Sequence, residues 1–334
     1  MDDLDVVDGE VGSLIRRSVA GVADRCPSRR GDPGTSHVTC WSRLAELGFT
    51  DLRWDDAAST ADALIVVEEM AAAVCGAPVL FGALLVPELL RSAALGDSEV
   101  LALARSGRLG LAMRPDLHTV ADGDRECVCV SASALTHALT LSGNDVGLVA
   151  LGPGTTTVDL SSDARSPAGA VRGLGRVGDE GLVRFHTLCL LGVAADALGA
   201  GRRMLTDAVE HSRTRVQFGR PIGAFQAVQH LCADSYWQLD ALRSAVLYGA
   251  WALDRGMTEE ASEAALAAKA FSCRAAFDAV VNSMQIFGGM SITWEHHAHY
   301  HLRRVLLDRE LFGNADSSAR AMHAHSMAVS DGLR

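Results

Sequence analysis

Two stretches of this chain crowd polar, aromatic and glycine residues between otherwise Ala-, Leu- and Val-rich helical patterns. The first is RTRVQFGRPIGAFQAVQH, Arg213 to His230, where Arg, Phe-Gly, Pro and three Gln crowd between two helical patterns. Arg215 offers a planar fork of donors that matches phosphate oxygens. The second is QIFGGMSITWEHHAHYHLRR, Gln285 to Arg304, in which Gln285 precedes the pair Gly288-Gly289. Two residues without Cβ atoms let a helix end and a ligand approach closely, and the Gln285 amide can supply hydrogen bonds. On pattern alone, the same residues are equally a helix-hairpin turn and a helix-ending glycine pair.

The histidines of EHHAHYH raise a metal question. His297 and His301 stand at i, i+4 and could share an ion on one helix face. The H-E-x-x-H order is absent and no third ligand has suitable spacing. Solvated or interface histidines, and no metal, are therefore the expectation.

The elements that must position these groups fall into three zones. Residues 1–108 read as a helical N-terminal domain: WSRLAELGF and ADALIVVEEMAAAV place apolar residues at i, i+3 and i+4, and CPSRRGDPGTS reads as a loop. Residues 109–184 read as a small β domain, with LGLAM, ECVCVSA, VGLVAL, TTTVDL and GLVRFHTL separated by turn residues. Residues 185–334 return to helical periodicity. Val228, Leu231, Leu239, Leu242, Val246 and Leu253 form the seam of a long bundle helix. Thr258 is the expected N-cap of the next helix, which should end near Gly288-Gly289. A last helical pair is expected over about Glu295–Glu310 and Asp316–Ser330. The predicted class is mainly α with a small β domain (α+β).

Composition narrows the partners. The 334 residues carry a formal net charge of -11, which disfavours nucleic acid and anionic membranes. Lys269 is the only lysine, and the basic pairs Arg202-Arg203 and Arg303-Arg304 form no tract. The eight cysteines form no CxxC pair, and no signal pattern opens the chain. Reduced thiols in a cytoplasmic protein are expected. The apolar runs read as too short or too punctuated to span a bilayer.

Together the two stretches resemble the acyl-CoA dehydrogenase family. Arg215, Phe218, Gly219, Ile222, Phe225 and Gln226 match its R-x-x-F-G-x-x-[IL]-x-x-[FH]-Q pattern. Gln285, Gly288 and Gly289 match its Q-x-x-G-G, followed by the T-W-E-H variant of many actinobacterial members. The resemblance covers nearly the whole chain, and WSRLAELGF also looks like the family's first domain. It implies an FAD held across a subunit interface, with Arg215, Phe218, Gln226, Gln285, Gly288 and Gly289 as cofactor contacts. It also implies oxidation of an acyl thioester, carried by CoA or an acyl carrier protein, between Cα and Cβ.

That reaction needs a carboxylate base, found in the family at one of two positions. Here they fall on Cys189 and Phe312, and neither can take the proton. Asp196, two turns beyond Cys189, is the reserve candidate, and Glu295 and Glu310 are further carboxylates nearby. The family's T-E-x-x-x-G-S-D and W-[IV]-T segments, which cover the flavin ring, are missing from 109–184. The chain thus resembles the short, base-less actinobacterial members that act as one subunit of a heteromeric enzyme in sterol side-chain breakdown. A homo-oligomeric dehydrogenase with a non-standard base stays open. So does a recruited protein with a non-redox or scaffolding role in secondary metabolism.

Overall fold

A computed structural model describes residues 10–23, 33–54, 58–75, 78–122, 127–130, 134–152, 156–157, 163–164 and 166–332. The chain is mainly helical with a small sheet, as its periodicity predicts. The first described helices are α1 (Glu10–Ala23), α2 (Pro33–Glu46), α3 (Thr60–Ala72), α4 (Val86–Ser92) and α5 (Ser98–Arg105). α3 opens on a capping box: the Ser59 side chain accepts from the Asp62 N–H, and the Asp62 carboxylate accepts from the Ser59 N–H. It is buried on every face and forms the centre of this layer. A buried π-helical turn, Val79–Leu85, leads from it into α4.

The sheet has the order β1-β2-β3-β6, built from Leu109–Leu111, His137–Ser142, Asp145–Ala150 and Arg172–Arg176. β1 and β2 are parallel; the other pairs are antiparallel. Gly143 turns the β2–β3 hairpin with a φ of 59°, the left-handed value a two-residue hairpin needs at that position. β4 (Thr156–Thr157) and β5 (Asp163–Ala164) make a separate two-stranded ribbon. Parts of the ADGD and GPG turns and of ECVCVSA and TTTVDL lie outside the described residues.

The bundle comprises α6 (Asp179–Thr214), the strands β7 (Val216–Gln217) and β8 (Arg220–Pro221), then α7 (Gln226–Asp254) and α8 (Thr258–Phe287). α9 (Ala298–Glu310) and α10 (Ala315–Gly332) complete it. The run GLVRFHTL is not a strand but the opening turns of α6. Gly178 caps that helix, Asp179 and Glu180 sit at its positive end, and Leu182, Phe185, Leu188 and Cys189 recur at helical spacing. Two smaller corrections concern caps and loops: Met257, not Thr258, is the N-cap of α8, and Pro33 to Ser36 already belong to α2. Cys40 is disulfide-bonded, so the expectation that every thiol is reduced fails there. By length and composition α6 could span a bilayer, but 67% of its apolar window is buried inside the protein.

α3 and α6 cross at backbone contact. A Cβ placed on Gly199 would lie 2.0 Å from the Glu68 carbonyl oxygen. Buried ion pairs fix the crossing. Glu68 and Glu69 receive Arg202 of α6 at 2.7 and 2.5 Å, and Arg16 of α1 at 2.9 and 2.5 Å. Glu88 on α4 is buried and meets Arg53 at 2.6 Å and Arg184 of α6 at 2.8 Å. Burial pushes both Glu68 and Glu88 upward, but the arginines around them prevail and hold both carboxyls below the ordinary value. The N-terminal helices are thereby clamped to the bundle.

Candidate functional site

The hinge between α6 and α7 is a tight hairpin. β7 pairs with β8 through Val216↔Pro221 and Gln217↔Arg220, leaving Phe218 and Gly219 at the tip. Both tip residues have positive φ, 53° and 80°, which is routine for Gly219 and strained for Phe218. The Phe218 ring is 92% exposed and stands edge-on to Phe225 at 6.1 Å. The Arg220 guanidinium covers the other aromatic ring of the turn, Phe225, at 4.2 Å. Arg215 closes α6: its N–H donates to the His211 carbonyl and its own carbonyl accepts from Ile222 N–H, both at 2.9 Å. Arg215 and Gln226 are exposed.

The glycine pair lies at the end of α8. Gly288 ends the helix with φ 63° and ψ -143°, a region open essentially to glycine alone. A Cβ on Gly288 or Gly289 would meet nothing within 4 Å, so both backbones face open space. Gln285 is exposed one turn earlier. His211 on α6 and Phe287 on α8 bring the two motifs together, with ring centroids 5.0 Å apart. One end of the bundle therefore presents the hinge cation, the Gln amide and the bare glycine backbone. These residues fit the adenosine and pyrophosphate half of an FAD.

The other half is different. Cys189 is fully buried, and burial, followed by nearby Glu88, pushes its thiol well above the ordinary value. Phe312, at φ 57°, packs its ring 6.4 Å from Phe81 of the π-helical turn, while its N–H donates to Leu117 O at 2.8 Å. Cys189 and Phe312 are both enclosed in the apolar core.

Asp196 is 2% exposed, and Arg304 holds both its oxygens, Nε to Oδ1 at 2.5 Å and Nη2 to Oδ2 at 2.6 Å. Asp308 is buried beside this pair; burial, then the Asp196 charge, pushes its carboxyl well above the ordinary value. Lys269, also buried, donates to the Asp308 carbonyl and, at 3.3 Å, to that of Arg309, closing the end of α9. Glu295 and Glu310 are exposed, the latter 3.6 Å from His118.

The metal question has a structural answer in part. His297 lies 2.8 Å from Asp207 and His301 is fully buried. Among the described residues no group of three His, Cys, Asp or Glu is placed to hold an ion. Sequence reasoning missed the links from α6 to this histidine segment. The signal available was Asp207 and His211 at i, i+4 on one face of α6.

Only part of the α7 seam is used within the chain. Leu239, Leu242, Val246 and Leu253 are buried, whereas Val228, Leu231 and Cys232 stay half-buried. Val228 and Cys232, with Leu198, Leu205 and Val209 of α6, line a groove of about 1180 Å³. Tyr236 and Trp237 stand exposed on the same half of α7.

A helical layer, a small sheet and a helical bundle make the fold shared with acyl-CoA dehydrogenases. A family model for the acyl-CoA dehydrogenase C-terminal domain matches residues 191–327. Acyl-CoA dehydrogenase IpdE2 of Mycobacterium tuberculosis is 34% identical over 249 residues, 73% of this chain and 71% of the relative. The chain belongs to the acyl-CoA dehydrogenase family. Among solved structures, a Tcur3481-Tcur3483 steroid ACAD variant superposes with a TM-score of 0.80 at 22% identity, covering 99% of both chains. The ChsE4-ChsE5 complex from Mycobacterium tuberculosis gives 0.75 at 21%, covering 95% of this chain and 97% of the other. At such identities these two likenesses concern the fold alone.

Proposed function

We propose that this chain is the base-less, nucleotide-anchoring subunit of a heteromeric, FAD-dependent acyl-thioester dehydrogenase in lipid or sterol metabolism of the cytoplasm. One observation carries the reading. The end of the bundle that fits the pyrophosphate is open, while both base positions, Cys189 and Phe312, are apolar and buried. FAD, when bound, would accept the β-hydride of the acyl thioester. In this division of labour Arg215 neutralises pyrophosphate charge, Gln285 bonds the nucleotide, and Gly288 and Gly289 admit it to the backbone. Phe218 and Gln226 complete the contacts at the hinge. The α-proton would go to a carboxylate of a sister chain, which would also cover the flavin ring. Two of the solved relatives bear the names of paired proteins, Tcur3481-Tcur3483 and ChsE4-ChsE5, which supports a related subunit as the partner.

Asp196 is assigned to the fold rather than to proton abstraction, because a buried guanidinium already engages both of its oxygens. The test is co-expression with a sister acyl-CoA dehydrogenase chain, followed by flavin and protein quantitation. A yellow complex with half a flavin per polypeptide is expected, and Arg215→Ala should release most of that flavin. If this chain alone forms a stable oligomer with one FAD in every subunit, the reading fails.

A further inference from the structure

The two cofactor-facing motifs are joined by an aromatic and histidine cluster that neither motif contains. His211 of α6 packs on Phe287 at 5.0 Å, and Phe287 meets His296 at 4.5 Å. His296 stacks on His297 at 4.7 Å, and His297 returns to α6 through Asp207 at 2.8 Å. A closed circuit thus runs from α6 to the end of α8, to the segment before α9, and back. Arg215 lies one turn beyond His211 and is bonded to it through the backbone at 2.9 Å.

We propose that this cluster makes the open end of the bundle a proton-linked anion site, at which binding of a nucleotide pyrophosphate draws a proton onto His211, the His296 Nδ1 being committed as acceptor of the Ala298 N–H at 3.1 Å. The inference rests on the FAD reading above and concerns how this chain's own residues balance the charge. A pyrophosphate diester brings two negative charges into the space beside Arg215. On α6, Asp207 is bonded to Arg203 at 2.8 Å and Glu210 lies 3.8 Å from Arg213, so these charges largely cancel in pairs. From the segment leading into α9 and from its first turn the facing groups are His296, His297 and His299, and α8 contributes Phe287 without charge. Among the described residues Arg215 has no carboxylate partner, and it supplies one positive charge against two negative ones. Arg220 of the same hairpin lies over Phe225, so an imidazole that gains a proton is the group placed beside Arg215 to supply the second.

The starting state suits this. Burial, then the charge of Arg215, holds His211 below the ordinary imidazole value. Burial, then His297, does the same for His296, with Asp207 opposing. Both rings are therefore neutral near pH 7 before an anion arrives. A bound pyrophosphate reverses the repulsion and raises the pKa. Between the free and bound values, binding takes up a proton, and affinity falls as pH rises by up to tenfold per pH unit, to an order of magnitude. Below the free value and above the bound value, affinity is flat.

The experiment is calorimetric titration of the flavin-stripped complex of this chain with its co-expressed sister subunit, with FAD and with ADP-ribose. Both ligands carry the pyrophosphate diester, and neither titrates between about pH 5.5 and 8. Buffers of different ionisation enthalpy report the proton count directly. Expected are about one proton taken up per ligand and affinity that weakens with rising pH. The variant His211→Phe keeps the ring contact to Phe287 and should abolish both effects while still binding. His137→Gln, on β2, should change neither. A pH-independent affinity with no proton uptake, or a Phe variant that retains the slope, overturns the inference and leaves the FAD reading standing. Absence of binding by either ligand at every pH overturns both.

Discussion

A carboxylate that accepts two bonds from one buried guanidinium has little left for chemistry, and Asp196 is such a carboxylate. Its role is to satisfy Arg304 in the interior. Asp196→Asn would leave that guanidinium without its counter-charge, and a stability loss of about 3–5 kcal/mol is expected from urea unfolding. Asp196→Asn combined with Arg304→Met should recover much of it; a single variant as stable as the wild type would overturn the assignment. Asp308 behaves oppositely with pH. Burial, then Asp196, raises its folded pKa far above the 3.8 of an ordinary aspartate. Its stabilising contribution is complete below the unfolded value and is lost as pH rises toward the folded one. Asp308→Asn cannot ionise, so its stability relative to the wild type should improve across that window by up to about 1.4 kcal/mol per pH unit. Parallel pH profiles would count against the buried acid. Neither role was legible in sequence, where Asp196 is one acid on an apolar face and Arg304 stands far along the chain. That Cys189 and Phe312 carry no carboxylate was legible, because a residue type declares what it cannot do wherever it lies.

At the scale of elements, the long helices and the hinge were read from period and turn residues, since both are local. The opening of α6 was misread because GLVRFHTL mixes β-branched and apolar residues that also suit a strand. What decides for a helix is the acidic first turn and the packing of Phe185 and Leu188 into the bundle. The close crossing of α3 and α6 was invisible too, because nothing near Gly199 in sequence announces a carbonyl of residue 68. That contact gives a graded prediction. Gly199→Ala drives a methyl to 2.0 Å from backbone, whereas Gly192→Ala meets the movable ends of Leu80 and Leu84 at 2.7 and 2.9 Å. Thermal or urea unfolding should show a loss of about 3 kcal/mol for Gly199→Ala and about 1 kcal/mol for Gly192→Ala. Equal losses would mean that the two helices slide apart freely, against the four-membered clamp of Arg16, Arg202, Glu68 and Glu69.

For the whole molecule, the question is what covers the first half of α7. The seam predicted from Val228 to Leu253 splits at about Leu239: the later residues pack on α6 and α8, the earlier ones open onto the groove. Trp237 is 67% exposed beside it, and Tyr236 almost as much. Rims of Arg202, Arg213 and Arg243 face Asp207, Glu210 and Asp240 around an apolar floor, a mixed pattern that suits a protein surface rather than a polyanion. Aromatic side chains at the centre of an interface commonly carry 2 kcal/mol or more, about a thirtyfold change in affinity. The pair Tyr236→Ser and Trp237→Ser alters neither the Arg215 to Gln226 segment nor the glycine pair. It should leave the helical content of the chain unchanged, weaken association with a co-expressed sister subunit by at least about thirtyfold, and reduce self-association of the chain made alone. Sedimentation of the tagged pair against the variant pair measures this. If the double-serine chain assembles as tightly as the wild type, the exposed face of α7 is ordinary surface and the partner must dock elsewhere.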